Sequence, residues 1–128
     1  MKKLLVDTHA LIWFLRGDSS LSQVAEKAMR APENIKFVSI ASLWEIAIKV
    51  NLKKIELDFS LADFENLLAD NQFEVFPIGF QHVVRVAALS LHHRDPFDRM
   101  LIAQALTEGL AIVTRDPHFP DYGVPIVW

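Results

Sequence analysis

The chain has 128 residues, 16 acids against 13 Lys plus Arg, a formal net charge of −3, five His and no Cys. That length suits one hydrophobic core, so a single domain over residues 1–128 is expected. The lack of Cys excludes disulfide scaffolds, thiolate zinc sites and thiol nucleophiles together.

Hydrophobic residues make up 52% of the chain and mean hydropathy is +0.23, which is apolar enough at this size to predict surface covered by a partner. No run approaches the length of a bilayer-spanning helix, and Asp7 interrupts Leu4-Leu5-Val6 too early for an export signal. A cytoplasmic protein that does not enter the membrane is therefore expected.

Leu4-Leu5-Val6 is an unalternating apolar run that suits a strand covered on both faces, and it puts Asp7 at the strand's carboxyl end. Thr8 to Leu15 reads as a helix closed by Gly17, and Leu21, Val24, Ala25, Ala28 and Met29 keep helical spacing up to Ala31-Pro32. Lys36 to Ile40 predicts a second strand running into a helix from Ala41 to about Val50, with Leu43, Trp44, Ala47 and Ile48 on its buried face. Glu45 falls beside that face, next to Ser42. It can equally be a solvated helix acid paired with Lys49 at i+4. Asn51 to Phe59 reads as a turn or loop, and Ser60 starts a further helix carrying Leu61, Phe64, Leu67 and Leu68.

Phe73 to Ile78 predicts a third strand, with Pro77 at its end or on an edge. Phe80, Val83, Val84, Ala87, Ala88 and Leu91 trace a helical stripe. Asp95-Pro96 reads as a helix start, the carboxylate accepting a free N–H and proline fitting the first position; the helix runs to about Glu108 and stops at Gly109. Asp98 projects from the apolar side of that helix, where a carboxylate needs a cationic or hydrogen-bonding partner. Leu110 to Thr114 is a buried strand, and Asp116, preceding Pro117, should end extended at its carboxyl edge. A short strand over Val124 to Val127 closes the chain.

Alternating helices and short strands imply an α/β fold with a doubly wound, mostly parallel sheet and helices on both faces. Asp7, Glu45, Asp98 and Asp116 can then reach one sheet edge. Four acids in one cleft repel each other unless a divalent cation neutralises them, and an all-oxygen, Cys-free set suits Mg²⁺ or Mn²⁺. Such a site can activate water against a phosphodiester. Setting those four acids aside leaves 16 − 4 = 12 acids against 13 Lys plus Arg, so charge permits a nucleic-acid substrate without arguing for one. Thr8, Ser39, Ser42 and Thr114 lie near the same edge and could orient water or phosphate, and Arg94, Arg99 and Arg115 could touch phosphate. His9, His92, His93 and His118 share no ligand spacing and read as surface or capping residues.

The segments Asp7 to Trp13, Ser42 to Lys49, Asp95 to Ala103 and Thr114-Arg115-Asp116 closely resemble, in order, the motifs of PIN-domain ribonucleases, nearest to the VapC-type toxins of bacterial toxin–antitoxin pairs. The resemblance spans essentially the whole chain. It implies metal-binding acids at Asp7, Glu45, Asp98 and Asp116, an RNA substrate, a homodimer and a cognate antitoxin. Many members of that family carry a further acid two positions after the one matching Asp116, where this chain has His118; a second metal would then bind weakly or only with substrate. Two other readings compete with it. A phosphoaspartate hydrolase of the haloacid-dehalogenase type would use Asp7 as nucleophile, but needs an acid where His9 stands. A PIN-like module that binds a partner without cleaving would not need all four acids.

Overall fold

The computed structural model describes Met1 to Trp128. Five strands, β1 (Lys3–Val6), β2 (Ile35–Ser39), β3 (Phe73–Phe76), β4 (Ala111–Val113) and β5 (Ile126–Val127), form one sheet in the order β3-β2-β1-β4-β5. Every pairing is parallel. The connections carry six helices: α1 (Thr8–Arg16), α2 (Gln23–Arg30), α3 (Ile40–Asn51), α4 (Leu61–Asp70), α5 (Phe80–Ala88) and α6 (Pro96–Glu108). None is long and apolar enough to cross a membrane.

Why β1 sits in the middle follows from its side chains. Leu4 and Val6 point into a core built with Leu11, Phe14, Met29, Ile46 and Phe64, while Leu5 points to the other face and meets Leu101, Ile102, Ile112 and Phe119. Both sets are almost wholly shielded from water, as a central parallel strand requires. Each such side chain contributes roughly 1.5–3 kcal/mol by leaving water. Helices α1 to α4 supply the first core and α6 the second, so the sheet is covered on both faces.

Capping residues set the helix ends as expected. Asp95 Oδ1 accepts the N–H groups of Phe97 and Asp98 at 2.8 and 3.1 Å, with Pro96 in the first turn. Gly17 and Gly109 close α1 and α6 with left-handed φ of 65° and 69°, a conformation that a Cβ would strain.

The apolar stripe of α3 faces the opposite way from its expected orientation, and that of α5 faces solvent. On α3 the buried residues are Ala41, Ser42, Glu45 and Ile46, while Trp44 is 61% exposed and Ala47 is also exposed. On α5 only His82 is buried; Phe80, Val83, Val84 and Leu91 beyond its end lie open to solvent. Helical period identifies residues that share a face but not what covers it. The surplus apolar surface predicted from composition therefore lies on α5 and the Trp44 side of α3. It does not lie on α1, where Phe14 is buried.

Candidate active site

The strand order reverses on either side of β1, which opens a crevice at the carboxyl ends of β1 and β4, where doubly wound sheets bind ligands. Val6 pairs with Val113 across these strands, and the Asp7 N–H donates to the Val113 carbonyl at 3.1 Å. That register brings Asp7 level with Thr114. Asp7 also caps α1, its Oδ1 accepting the Ala10 N–H at 2.8 Å. Burial pushes its carboxyl above the ordinary range; hydrogen bonds from Thr114 and Ala10 and the nearby His9 pull it down, and Asp116 pushes it up again.

Asp98 lies on the first turn of α6, facing this crevice. Its pKa is raised from 3.8 to about 7, first by burial and then by the charge of Asp95, with His93 opposing and Glu45 and Asp7 adding to the rise. Asp116 follows β4 after Thr114. Its N–H donates to Thr114 Oγ1 at 3.0 Å and its Oδ1 accepts the His118 N–H at 2.8 Å, so a short local turn sets its direction. Asp7, Asp98 and Asp116 line one cleft of about 260 Å³ together with His9, Trp13, Arg115 and Pro117. A larger hollow of about 550 Å³ beside the α3–α4 loop is lined mostly by apolar side chains such as Ile55, Leu57 and Phe59. It contains no converging acids.

Glu45 is buried, in the second turn of α3, where it meets Thr8 and Lys49. Thr8 Oγ1 donates to its Oε1 at 2.6 Å and Lys49 Nζ donates to its Oε2 at 2.8 Å. The i+4 pairing with Lys49 is as the sequence suggests, but the acid is not solvated. Thr8 and Thr114 thus serve the acids. They were candidates for orienting water or phosphate, but their hydroxyls are already engaged. Ser39 caps α3, and Ser42 is fully buried with its hydroxyl unpartnered. Arg115 lies over Trp13 at 4.6 Å on the cleft rim, exposed and free to meet a phosphate.

Arg99 is engaged within the chain. Its guanidinium donates to the carbonyls of Val86, Leu89, Ser90 and His93 and to Tyr122 Oη, all at 2.9–3.3 Å, and so fastens the segment between α5 and α6. His93, which the sequence reading placed among surface or capping histidines, is brought to the cleft acids. It is largely buried, and its Nε2 lies 2.9 Å from Asp116 Oδ2 and 3.1 Å from Asp98 Oδ2. The signal available was local, since a histidine two residues before a helix-capping Asp can accept that residue's N–H. His93 does so, Nδ1 lying 3.1 Å from the Asp95 nitrogen.

The donor set fits a hard divalent cation. Asp98 and Asp116 bring carboxylate oxygens within 4.8 Å of each other, with His93 Nε2 beside them. Asp7 and Asp98 are desolvated acids held away from their ordinary ionisation, which a dication would relieve. A parallel sheet with order 3-2-1-4-5 and an acid cleft at its switch point define a small α/β protein of the metal-site type. The PIN domain model matches residues 4–125, and the chain belongs to that family.

Among its relatives, Ribonuclease VapC22 of Mycobacterium tuberculosis is 27% identical over 128 residues, covering 98% of this chain and 95% of that protein. The fold is shared with VapBC-1 from nontypeable Haemophilus influenzae, at TM-score 0.71 and 14% identity over 97% of this chain and 96% of that one. A toxin–antitoxin complex from Klebsiella pneumoniae superposes at TM-score 0.60 and 20% identity, covering 88% and 86% of the respective chains.

Proposed function

We propose that this protein is a Mg²⁺- or Mn²⁺-dependent endoribonuclease acting as the toxin of a toxin–antitoxin pair in the cytoplasm. The observation that carries this reading is the convergence of desolvated Asp7 and Asp98 with Asp116 on one cleft at the sheet's switch point. The ribonuclease name of a full-length relative supports RNA as the substrate, and the toxin–antitoxin complex of similar fold supports a cognate antitoxin.

In this reading Asp7, Asp98 and Asp116 hold the cation, with Glu45 contributing from the α3 side. A bound divalent cation supplies the charge that activates water and stabilises the leaving oxygen of the phosphodiester. Lys49 balances Glu45 and Thr8 fixes its Oε1, while Thr114 ties Asp7 to Asp116. Arg115 at the rim donates to a phosphate oxygen. The exposed face of Phe80, Val83, Val84 and Leu91 supports a homodimer.

The test is cleavage of structured cellular RNA by purified protein. Mg²⁺ or Mn²⁺ should support it, chelator should stop it, and Asp7→Asn should lose on the order of 10³ in rate while staying folded. Unchanged cleavage by Asp7→Asn would remove that carboxylate from the chemistry. Replacing Phe80 and Leu91 by Asp together should give monomers on a sizing column; an unchanged oligomer would place the interface elsewhere.

A further inference from the structure

We propose that His93 is a positioning residue of the cleft: it sets Asp116 for the cation by donating its Nε2–H to Oδ2 and stands against Asp98, and is not itself a ligand. The inference rests on the reading of the cleft as a cation site and adds a component that the four acids do not contain.

The imidazole is held from every side. The His93 backbone N–H donates to Tyr122 Oη at 2.8 Å, and its backbone carbonyl accepts from Arg99 Nη1 at 3.3 Å. Phe119 and His118 pack edge-on against the ring, with centroids 5.7 and 5.8 Å away.

The tautomer follows from the partners. A backbone amide can only donate, so the Asp95 N–H facing Nδ1 at 3.1 Å requires a lone pair on that nitrogen. The ring proton is then on Nε2. That atom faces carboxylate Oδ2 atoms of Asp116 and Asp98, both acceptors, at 2.9 and 3.1 Å. One tautomer satisfies both hydrogen bonds of the ring, from the Asp95 N–H to Nδ1 and from Nε2–H to Asp116, and leaves Asp98 Oδ2 in close contact at 3.1 Å.

The same arrangement argues against ligation. An imidazole binds a metal through a lone pair, and its only lone pair is occupied by the Asp95 N–H. Freeing Nε2 would move the proton to Nδ1, where it would meet that N–H head-on. A doubly protonated ring would meet the same clash. His93 therefore donates to the Asp116 carboxylate and stands against that of Asp98, an outer contact of the kind that orients metal-binding side chains. The donors left for the metal are all oxygens, so the preference for hard ions is set by the acids alone.

The experiment is direct titration of the full chain with Mn²⁺, and with Mg²⁺ in competition, for the parent protein, His93→Ala and His93→Gln. Mn²⁺ and Mg²⁺ affinities should fall together in His93→Ala, by about tenfold, with their ratio unchanged. His93→Gln, whose amide can donate in place of Nε2–H, should recover most of the loss. A fall confined to Mn²⁺ would make His93 a nitrogen ligand and overturn the proposal, as would no change for either ion. Failure of the parent protein to bind either ion would instead bring down the metal reading of the whole cleft. Nitrogen-15 NMR of the parent protein covers the case in which His93→Ala does not fold: Nε2 should carry the proton and Nδ1 should not, with and without Mg²⁺. A proton on Nδ1 would overturn the assignment.

Discussion

Two histidines in this protein have the same hydrogen-bonding pattern in different surroundings. At the start of α5 the Gly79 N–H donates to His82 Nδ1 at 2.8 Å, and His82 Nε2 lies 3.0 Å from Glu108 Oε1 at the end of α6. Before α6 the Asp95 N–H donates to His93 Nδ1, and Nε2 reaches Asp98 and Asp116. Both rings take a local N–H and pass their own to a distant carboxylate. Around His82 the carboxylate is a single one, on the rim, and the result is a fastening between two helices. Around His93 there are two acids in a poorly solvated cleft, and the result is an organised charge cluster. The pattern does not make a site; crowding and desolvation of the acids at its far end do.

The largest expected effect separates these regions through pH. Below about 3.8 the Asp98 carboxyl is neutral whether the chain is folded or not, so it exerts no influence on stability. Between that value and about 7 the unfolded chain releases a proton that the folded protein keeps, and stability falls; above about 7 the penalty is complete. Metal-free Asp98→Asn should therefore match the parent in acid and exceed it near neutral pH by about 2–4 kcal/mol. Mg²⁺ should narrow the gap by stabilising the parent more. Denaturant melts at pH 4 and pH 7.5 decide it, and a gap that does not grow with pH would show that Asp98 is not strained.

His82→Ala should lose stability by about 2–3 kcal/mol, since it opens a void and orphans the Gly79 N–H. Mn²⁺ titration of the same variant should be unchanged. Weakened binding would mean that the two clasps are mechanically linked through α6, and the contrast between them would collapse. The smallest effect is expected at Asp95→Asn. Asparagine keeps a capping oxygen for Phe97 and Asp98 but removes the charge that is the second-largest cause of Asp98's raised pKa. The metal-free protein should gain roughly 0.5–1 kcal/mol at neutral pH, and the Asp98 carboxyl, followed by carbon-13 NMR, should titrate lower. A loss instead would mean that the anionic cap outweighs the repulsion.

Most of the fold was legible because its signals are local. Leu4-Leu5-Val6 needs cover on both faces wherever it occurs, and Asp95-Pro96 begins a helix by its own chemistry. Asp7 and Asp116 were legible because strand ends and a following proline fix where they project. What escaped depends on contacts between distant segments. Nothing near Arg99 says that the carbonyls of Val86, Leu89 and Ser90 will fold back around it. Nothing in the stripe of α5 tells a buried face from one left for a partner, and α3 buries the polar Ser42 and Glu45 while exposing Trp44 because the cleft lies on their side.

The strand order also fixes when, during synthesis, the protein can become complete. β1 is made first and finds β2 about thirty residues later, but its other edge waits for β4, whose Ala111 pairs with Leu4. At translation speeds of about 5–20 residues per second, that edge stays open for roughly 5–20 seconds. Asp116 follows β4, so a ribosome-bound chain carries Asp7 and Glu45 long before the acid that completes the cleft has been added. In the proposed reading the acid set of the cleft is incomplete in the nascent chain until Asp116 has been added. The same interval leaves an apolar strand edge exposed, which makes the late pairing of β4 with β1 the step most open to aggregation.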